Sequence, residues 1–348
     1  MSPKRTERRP RVFGAGLIAL DTLVGTGRVQ RRTAAGGTCG NVLIILSGLG
    51  WEAFPLAHLK TDTAGRRLVA DLRRWGVRLR FARLRPQKRT PVVVHRIVGE
   101  RSGKISHRFS WMIAPLTPLE KQAAKIMASR IVGADVLFID RVFPGVIDIA
   151  KAARRHGSLV VFEPPGIRDP RLFRELVNIS HIVKYSRERL GRLANGRPTL
   201  GNLEIETRGR DGLRYRTKLR SCMTRGWQIL RGVPARCVRD SAGAGDWCTA
   251  GIIHYLGRGG SKKFSAVTAH DLQRALMFGQ ALAAWNVGFE GARGAMYGIS
   301  SRAFKRRVEA FERSTQRNMG RLLGAKEAFK GRHRVTLRRL ALRSTVTP

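Results

Sequence analysis

The chain is short of acid, of cysteine and of long apolar runs. Only 24 of its 348 residues are Asp or Glu, against 67 Lys and Arg, for a formal net charge of +43. The four cysteines, Cys39, Cys222, Cys237 and Cys248, form no C-x-x-C pair and have no histidine at zinc spacing, which excludes a zinc finger. So few cysteines fit a reduced, cytoplasmic chain. No apolar run approaches the roughly 18 residues of a membrane helix, so no membrane partner is expected. Basic residues followed by Val12 to Leu20 imitate a signal peptide, but that stretch meets Asp21 without a small-x-small cleavage pattern. The G-x-x-x-x-G-K-[ST] loop of P-loop kinases is missing. Gly14-Ala15-Gly16-Leu17-Ile18-Ala19 fits G-x-G-x-x-A, but Asp21 follows too soon to be a ribose-binding acid, which argues against a dinucleotide fold. The histidines are scattered without a triad partner, and no internal repeat is present.

What is present is a globular composition, 43% hydrophobic, with a basic surplus that is nearly all arginine because only 14 residues are lysine. Such a field attracts polyanions, nucleic acid among them. Nucleic-acid proteins usually concentrate charge on one element, whereas here it runs the length of the chain. A surface that merely tolerates arginine is the plainer reading.

Apolar spacing sets out an alternation of strands and helices. Residues 12–20 read as one short buried strand, 36–50 as a helix, and Leu68, Val69, Leu72 and Trp75 as the apolar face of a helix over 64–76. Residues 91–98 and 104–109 read as a hairpin about a turn at 99–103. From 119 the helical period returns. Val136–Ile139 and Leu159–Phe162 are continuous apolar strands of the kind buried on both faces of a parallel sheet. A helix at 145–156, a helix at 170–177, strand 181–184, a helix near 186–194 and strand 203–207 continue the series. This is an α/β pattern.

The strongest chemical signal is Asp240-Ser241-Ala242-Gly243-Ala244-Gly245-Asp246, which runs into a small-residue apolar segment through Leu256. Small residues let a turn aim several N–H groups one way, and a helix start adds partial positive charge, so the segment is an anion cradle. Asp246, at that start, is placed to accept a proton from a hydroxyl; the plainer role for such an acid is to cap the helix.

This segment resembles the second signature of the ribokinase/PfkB sugar-kinase family, D-T-x-G-A-G-D, with Ser241 in place of Thr. Over roughly residues 11–300 the order of further motifs is similar too. Gly36-Gly37-Thr38-Cys39-Gly40-Asn41 resembles G-G-x-x-x-N, Asp62 and Gly65 resemble part of G-D-x-x-G, and Arg89-Thr90-Pro91 falls where a lid strand begins. Thr207-Arg208-Gly209-Arg210-Asp211-Gly212 is similar to T-x-G-x-x-G, and Gly291-Ala292 to a late Gly-Ala pair.

The resemblance implies a ribokinase-like three-layer αβα sandwich with a mostly parallel central sheet and a small β lid. It implies ATP-dependent transfer of a phosphoryl group to a hydroxyl of a sugar or nucleoside. Asp246 would be the general base, and the amides of Ala242, Gly243, Ala244 and Gly245 the anion hole. Asp21, Gly37 and Asn41 would hold the acceptor, with Asp140, which reads equally as a strand-end turn acid. Thr207, Gly209, Gly212 and Gln280 would line the nucleotide, Gln280 reading equally as an exposed helix amide. Asp240, Ala242, Asn286 and Gly291 fall near a monovalent-cation loop. ATP, Mg²⁺ and K⁺ are the implied cofactors, and a homodimer formed through the lids the implied assembly. The domain would span 12–300, with lid elements about 22–35 and 88–112, after a basic tail at 1–11. Residues 301–348, with 14 basic and 3 acidic side chains, would be a basic helical extension.

One motif departs. Where the family carries N-x-x-E, which serves Mg²⁺ and phosphate, this chain has Ser186 and Arg189, with Glu188 one residue off. That loss, with the charge, supports the alternative of a catalytically weak kinase fold that binds nucleic acid or another polyanion.

Overall fold

A computed structural model describes residues 8–24, 32–85, 89–99, 105–112, 127–194 and 200–313. In order these form β1 (Arg11–Ala15), β2 (Ala19–Val24), β3 (Arg32–Gly36), α1 (Thr38–Gly48), β4 (Glu52–Pro55), β5 (His58–Lys60) and α2 (Thr63–Arg74). There follow β6 (Arg83–Arg85), β7 (Val92–Gly99), β8 (Ile105–Met112), β9 (Val136–Ile139), α3 (Pro144–Arg155), β10 (Leu159–Phe162), α4 (Pro170–Ile179) and β11 (Ile182–Ser186). The last are α5 (Arg187–Ala194), β12 (Leu203–Thr207), β13 (Leu213–Thr217), β14 (Gln228–Leu230), α6 (Ala244–Leu256), α7 (Gly260–Ser265) and α8 (Ala269–Asn286). The helical period expected from 119 lies outside the described residues as far as 126. Expected lid residues 25–31, 88 and 100–104 also lie outside them, as does the tail before residue 8 and the extension after 313. The chain divides into two compact units, Met1–Ser301 and Arg302–Pro348; in the second, residues 302–313 are helical.

The large sheet runs β14-β13-β12-β11-β10-β9-β1-β4. Its six strands from β4 to β12 are parallel, and β13 and β14 close one edge antiparallel. The strands β9 and β10 are wholly buried, as their unbroken Val, Leu, Ile and Phe runs require of strands covered on both faces. A second sheet, β3-β2-β7-β8, carries the expected hairpin as β7 and β8. Among the described residues no helix is long and apolar enough to cross a membrane.

The single strand expected over residues 12–20 is in fact two, β1 in the large sheet and β2 in the small one. The break has a steric cause. A Cβ at Gly16 would lie 1.5 Å from Asp140 Oδ1. That oxygen accepts the Leu17 N–H at 2.8 Å, so the chain turns out of the sheet around a buried carboxylate.

Helices α1 and α6 are apolar nearly all round and buried nearly all round. Helix α6 meets α8 where glycines face each other: a Cβ at Gly251 would come within 2.7 Å of Gly279 Cα. This contact sets the depth of α6, and so of the loop at its start.

Candidate active site

The start of α6 is a turn held by side chains. Asp240 is fully buried. Its Oδ1 accepts the Ala242 N–H at 2.8 Å and its Oδ2 the Gly291 N–H at 2.7 Å. Gly243 has φ of 73°, and a Cβ there would sit 2.1 Å from the Ala292 carbonyl oxygen, so only glycine fits. A helix start leaves its first N–H groups without partners in the helix. Of the four amides read as an anion hole, Ala242 N–H is held by Asp240, and Ala244 N–H turns back to Ser241 O at 3.2 Å. Those of Gly243 and Gly245 have no hydrogen-bond partner among the described residues.

Asp246 lies in the first turn of α6. Its Oδ2 accepts a hydrogen bond of 2.7 Å from Asn41 Nδ2, on α1. Burial pushes its carboxyl up to about 8, the negative charge of Glu163 adds to the rise, and Asn41 and Lys184 act against it. The other end of the Asn41 amide, Oδ1, is buried without a partner. Behind the turn lies a charge pair the sequence reading did not single out. Lys184 Nζ is 2.7 Å from Glu163 Oε1 and 3.3 Å from Gly245 O, while the Thr249 hydroxyl donates to Glu163 Oε2. Its sequence signal was a lysine inside the buried strand Ile182–Ser186, where a charge requires a partner.

On the acceptor side, Asp21 extends from β2 against Gly36, where a Cβ would fall 1.9 Å from its Oδ2. Burial pushes this carboxyl up to about 7, opposed by the Arg293 charge and by the Gly37 N–H. Arg293 is fully buried. Its Nη2 donates to Ala35 O and to Asp71 Oδ2, both at 2.6 Å, and Asp71 Oδ2 also accepts the Ala35 N–H at 2.8 Å. The two side chains thereby satisfy the Ala35 N–H and carbonyl on the outer edge of β3. Nothing in the sequence separated Arg293 from the other arginines. Asp140 is fully buried and committed to Leu17 N–H and to Arg141 Nη1, 3.0 Å away; burial pushes it up to about 6.

Thr207 ends β12, and Gly209 and Gly212 form the turn into β13, with φ of 57° and 93°. A Cβ at Gly212 would meet Leu230 O at 2.2 Å. Gln280 is buried in α8, with Nε2 3.9 Å from Met277 Sδ. Glu188 and Arg189 are exposed on α5.

Asp240, Asn286 and Gly291 do converge. Asn286 Nδ2 lies 3.4 Å from Ala242 O and 3.3 Å from Ala292 O, and its Oδ1 accepts the Ala295 N–H at 3.1 Å. His95 Nδ1, from β7, stands 3.8 Å from Asp240 Oδ2. Among the described residues no three His, Cys, Asp or Glu side chains are placed to hold a metal ion.

Solved structures with this fold include kinases determined with small molecules bound. A Burkholderia thailandensis nucleoside kinase, solved with inosine, superposes with a TM-score of 0.63 at 18% identity over 86% of this chain and 96% of its own. An Arabidopsis thaliana ribokinase, solved with ribose and ATP, gives 0.63 at 20% identity over 86% and 98%. A Vibrio cholerae fructokinase double mutant, with fructose, ADP and potassium, gives 0.66 at 18% identity over 86% and 98%. No curated protein matches the chain in sequence. The pfkB family carbohydrate kinase profile matches residues 24–296. With the motifs of α1 and α6 meeting at Asp246, that match makes the chain a member of the pfkB family of carbohydrate kinases.

Proposed function

We propose that the chain transfers the γ-phosphoryl group of ATP to a hydroxyl of a sugar or nucleoside. The observation that carries this is Asp246, buried in the first turn of α6, bonded to Asn41 and flanked by the N–H groups of Gly243 and Gly245. A carboxylate beside partnerless amides can take a proton while negative charge grows on the group next to it.

ATP supplies the phosphoryl group. Asp246 takes the proton of the acceptor hydroxyl as its oxygen bonds to phosphorus and the bond to the departing ADP oxygen breaks. The amides of Gly243 and Gly245, with the positive end of α6, hold the charge on the transferring group. Asp21 accepts hydrogen bonds from acceptor hydroxyls, and the partnerless Asn41 Oδ1 takes another. Asp140 supports the acceptor side by fixing Leu17. Thr207, Gly209 and Gly212 form the nucleotide turn, and Gln280 of α8 belongs to the same reading. The sheet β3-β2-β7-β8 serves as the lid that keeps water from ATP. Pairing of two copies through it belongs to the same reading and is tested by light scattering.

Magnesium would arrive with ATP, held by phosphates and water. The chain itself fits the ion poorly: Glu163 is taken by Lys184 and Thr249, Glu206 beside Tyr185 is paired with Arg208 and Arg214, and Glu188 is exposed one residue from the expected place. ADP release from MgATP over a panel of sugars and nucleosides tests the reading: acceptor-dependent release supports it, and none with any acceptor contradicts it.

A further inference from the structure

The loop before α6 is built like a cation site whose oxygens already have partners. Four oxygens belong to it: both of Asp240, and the carbonyls of Ala242 and Ala292, which turn to one point. Carbonyl oxygens turned to one point repel one another unless a positive group lies between them, which is the service a potassium ion gives when a ring of carbonyls replaces its water. In this chain each of the four faces an N–H. Asp240 Oδ1 has Ala242 N–H at 2.8 Å and Oδ2 has Gly291 N–H at 2.7 Å. Ala292 O has the Trp247 indole N–H at 3.0 Å. Asn286 Nδ2 reaches both carbonyls, at 3.4 and 3.3 Å. The Asn286 side chain is fully buried, and the Ala295 N–H on its Oδ1 fixes which end points inward.

We propose that Asn286 takes the place of a monovalent cation, its amide holding the Ala242 and Ala292 carbonyls together so that the loop before α6 is formed without K⁺. An amide brings two N–H donors and no net charge. It orders the carbonyls through hydrogen bonds that do not depend on the ionic composition of the solution. The loop's other charge balance lies close by, in His95 opposite Asp240 and Arg293 two residues past Gly291. The consequence is a site assembled in the resting chain, with the Gly243 and Gly245 amides in place before any ion binds. It rests on the kinase reading for its catalytic meaning, but not for its test.

The test is thermal unfolding of the apo full-length chain in KCl, NaCl and choline chloride at equal ionic strength, for wild type, Asn286→Ala and Asn286→Asp. Wild type is expected to unfold at the same temperature in all three salts. Asn286→Ala opens room between the carbonyls, and Asn286→Asp adds an anionic oxygen there; each is expected to gain a saturable rise specific to K⁺. Because Asn286→Ala could fold poorly, the isosteric Asn286→Asp keeps the comparison open. A K⁺-specific rise in wild type overturns the proposal, and so do folded variants of both kinds that ignore K⁺. If wild type turns over no acceptor in any salt, the kinase reading fails while these unfolding temperatures still decide the role of Asn286.

Discussion

Asn41 Nδ2 stands 2.7 Å from Asp246 Oδ2, joining two residues 205 positions apart and two helices that carry separate signatures. The bond draws down a carboxyl that burial has raised to about 8, because an N–H donor favours the charged form. Proton uptake by Asp246 requires that charged form. We expect kcat/KM for the acceptor to rise with pH and level off above about 8. Asn41→Ala moves that limb upward and lowers kcat/KM at pH 7. A limb that stays in place in the variant contradicts the coupling.

Arg293 governs Asp21 in the same sense. Its charge opposes the burial that lifts the Asp21 carboxyl to about 7. Arg293→Met leaves Asp21 more protonated at neutral pH, so the acceptor KM at pH 7 rises, by about fivefold if the carboxyl moves up by one unit from 7. The KM for ATP is expected to hold, the acceptor KM to recover at higher pH, and Arg293→Lys to retain most of the effect. Equal losses in both KM values point to a purely structural role.

Buried aspartates also make stability depend on pH. Asp246, Asp21 and Asp140 have carboxyls raised to about 8, 7 and 6, so each favours the folded state at acid pH and loses that contribution as pH rises through those values. His181 and His254 are lowered to about 4 and 3, so their contribution is lost as pH falls below about 6.5. Below 6.5 the two sets oppose each other. Between pH 6.5 and 8.5 the aspartates act alone, and stability falls by about 1–2 kcal/mol for Asp246. Asp246→Asn is expected to flatten that decline in thermal or urea unfolding.

Gly243 tests the shape of the loop. Gly243→Ala forces a side chain into a left-handed conformation and against Ala292 O. We expect a loss of at least about 1–2 kcal/mol in urea unfolding, the scale of left-handed strain alone. A neutral substitution contradicts the close packing of this turn.

The elements that could be read from the sequence are those whose burial follows a period. The continuous apolar runs of β9 and β10 and the helical spacing of α2 lie close to where they were expected. The break between β1 and β2 was not legible, because it depends on Asp140 meeting Gly16 across 124 positions of sequence. The acids and glycines around Asp246 were marked by motif, yet the engagement of Ala242 N–H by Asp240 is set by turn geometry. Arg293 was hidden by abundance: in a chain with this much arginine, one buried guanidinium carries no mark of its own. Its neighbours in kind have similar local uses, as Arg214 and Arg216 do against Glu206 and Glu204, each at 2.7 Å.

The central claim is that Asp246 takes the acceptor proton, and the most direct measurement compares wild type with Asp246→Asn in MgATP turnover on an acceptor the wild type uses. The account predicts a fall in kcat of about 10²–10⁴-fold. Affinity for ATP and the fold are expected to be retained, with the pH limb near 8 gone. A variant that keeps the wild-type rate, or keeps the limb, contradicts it.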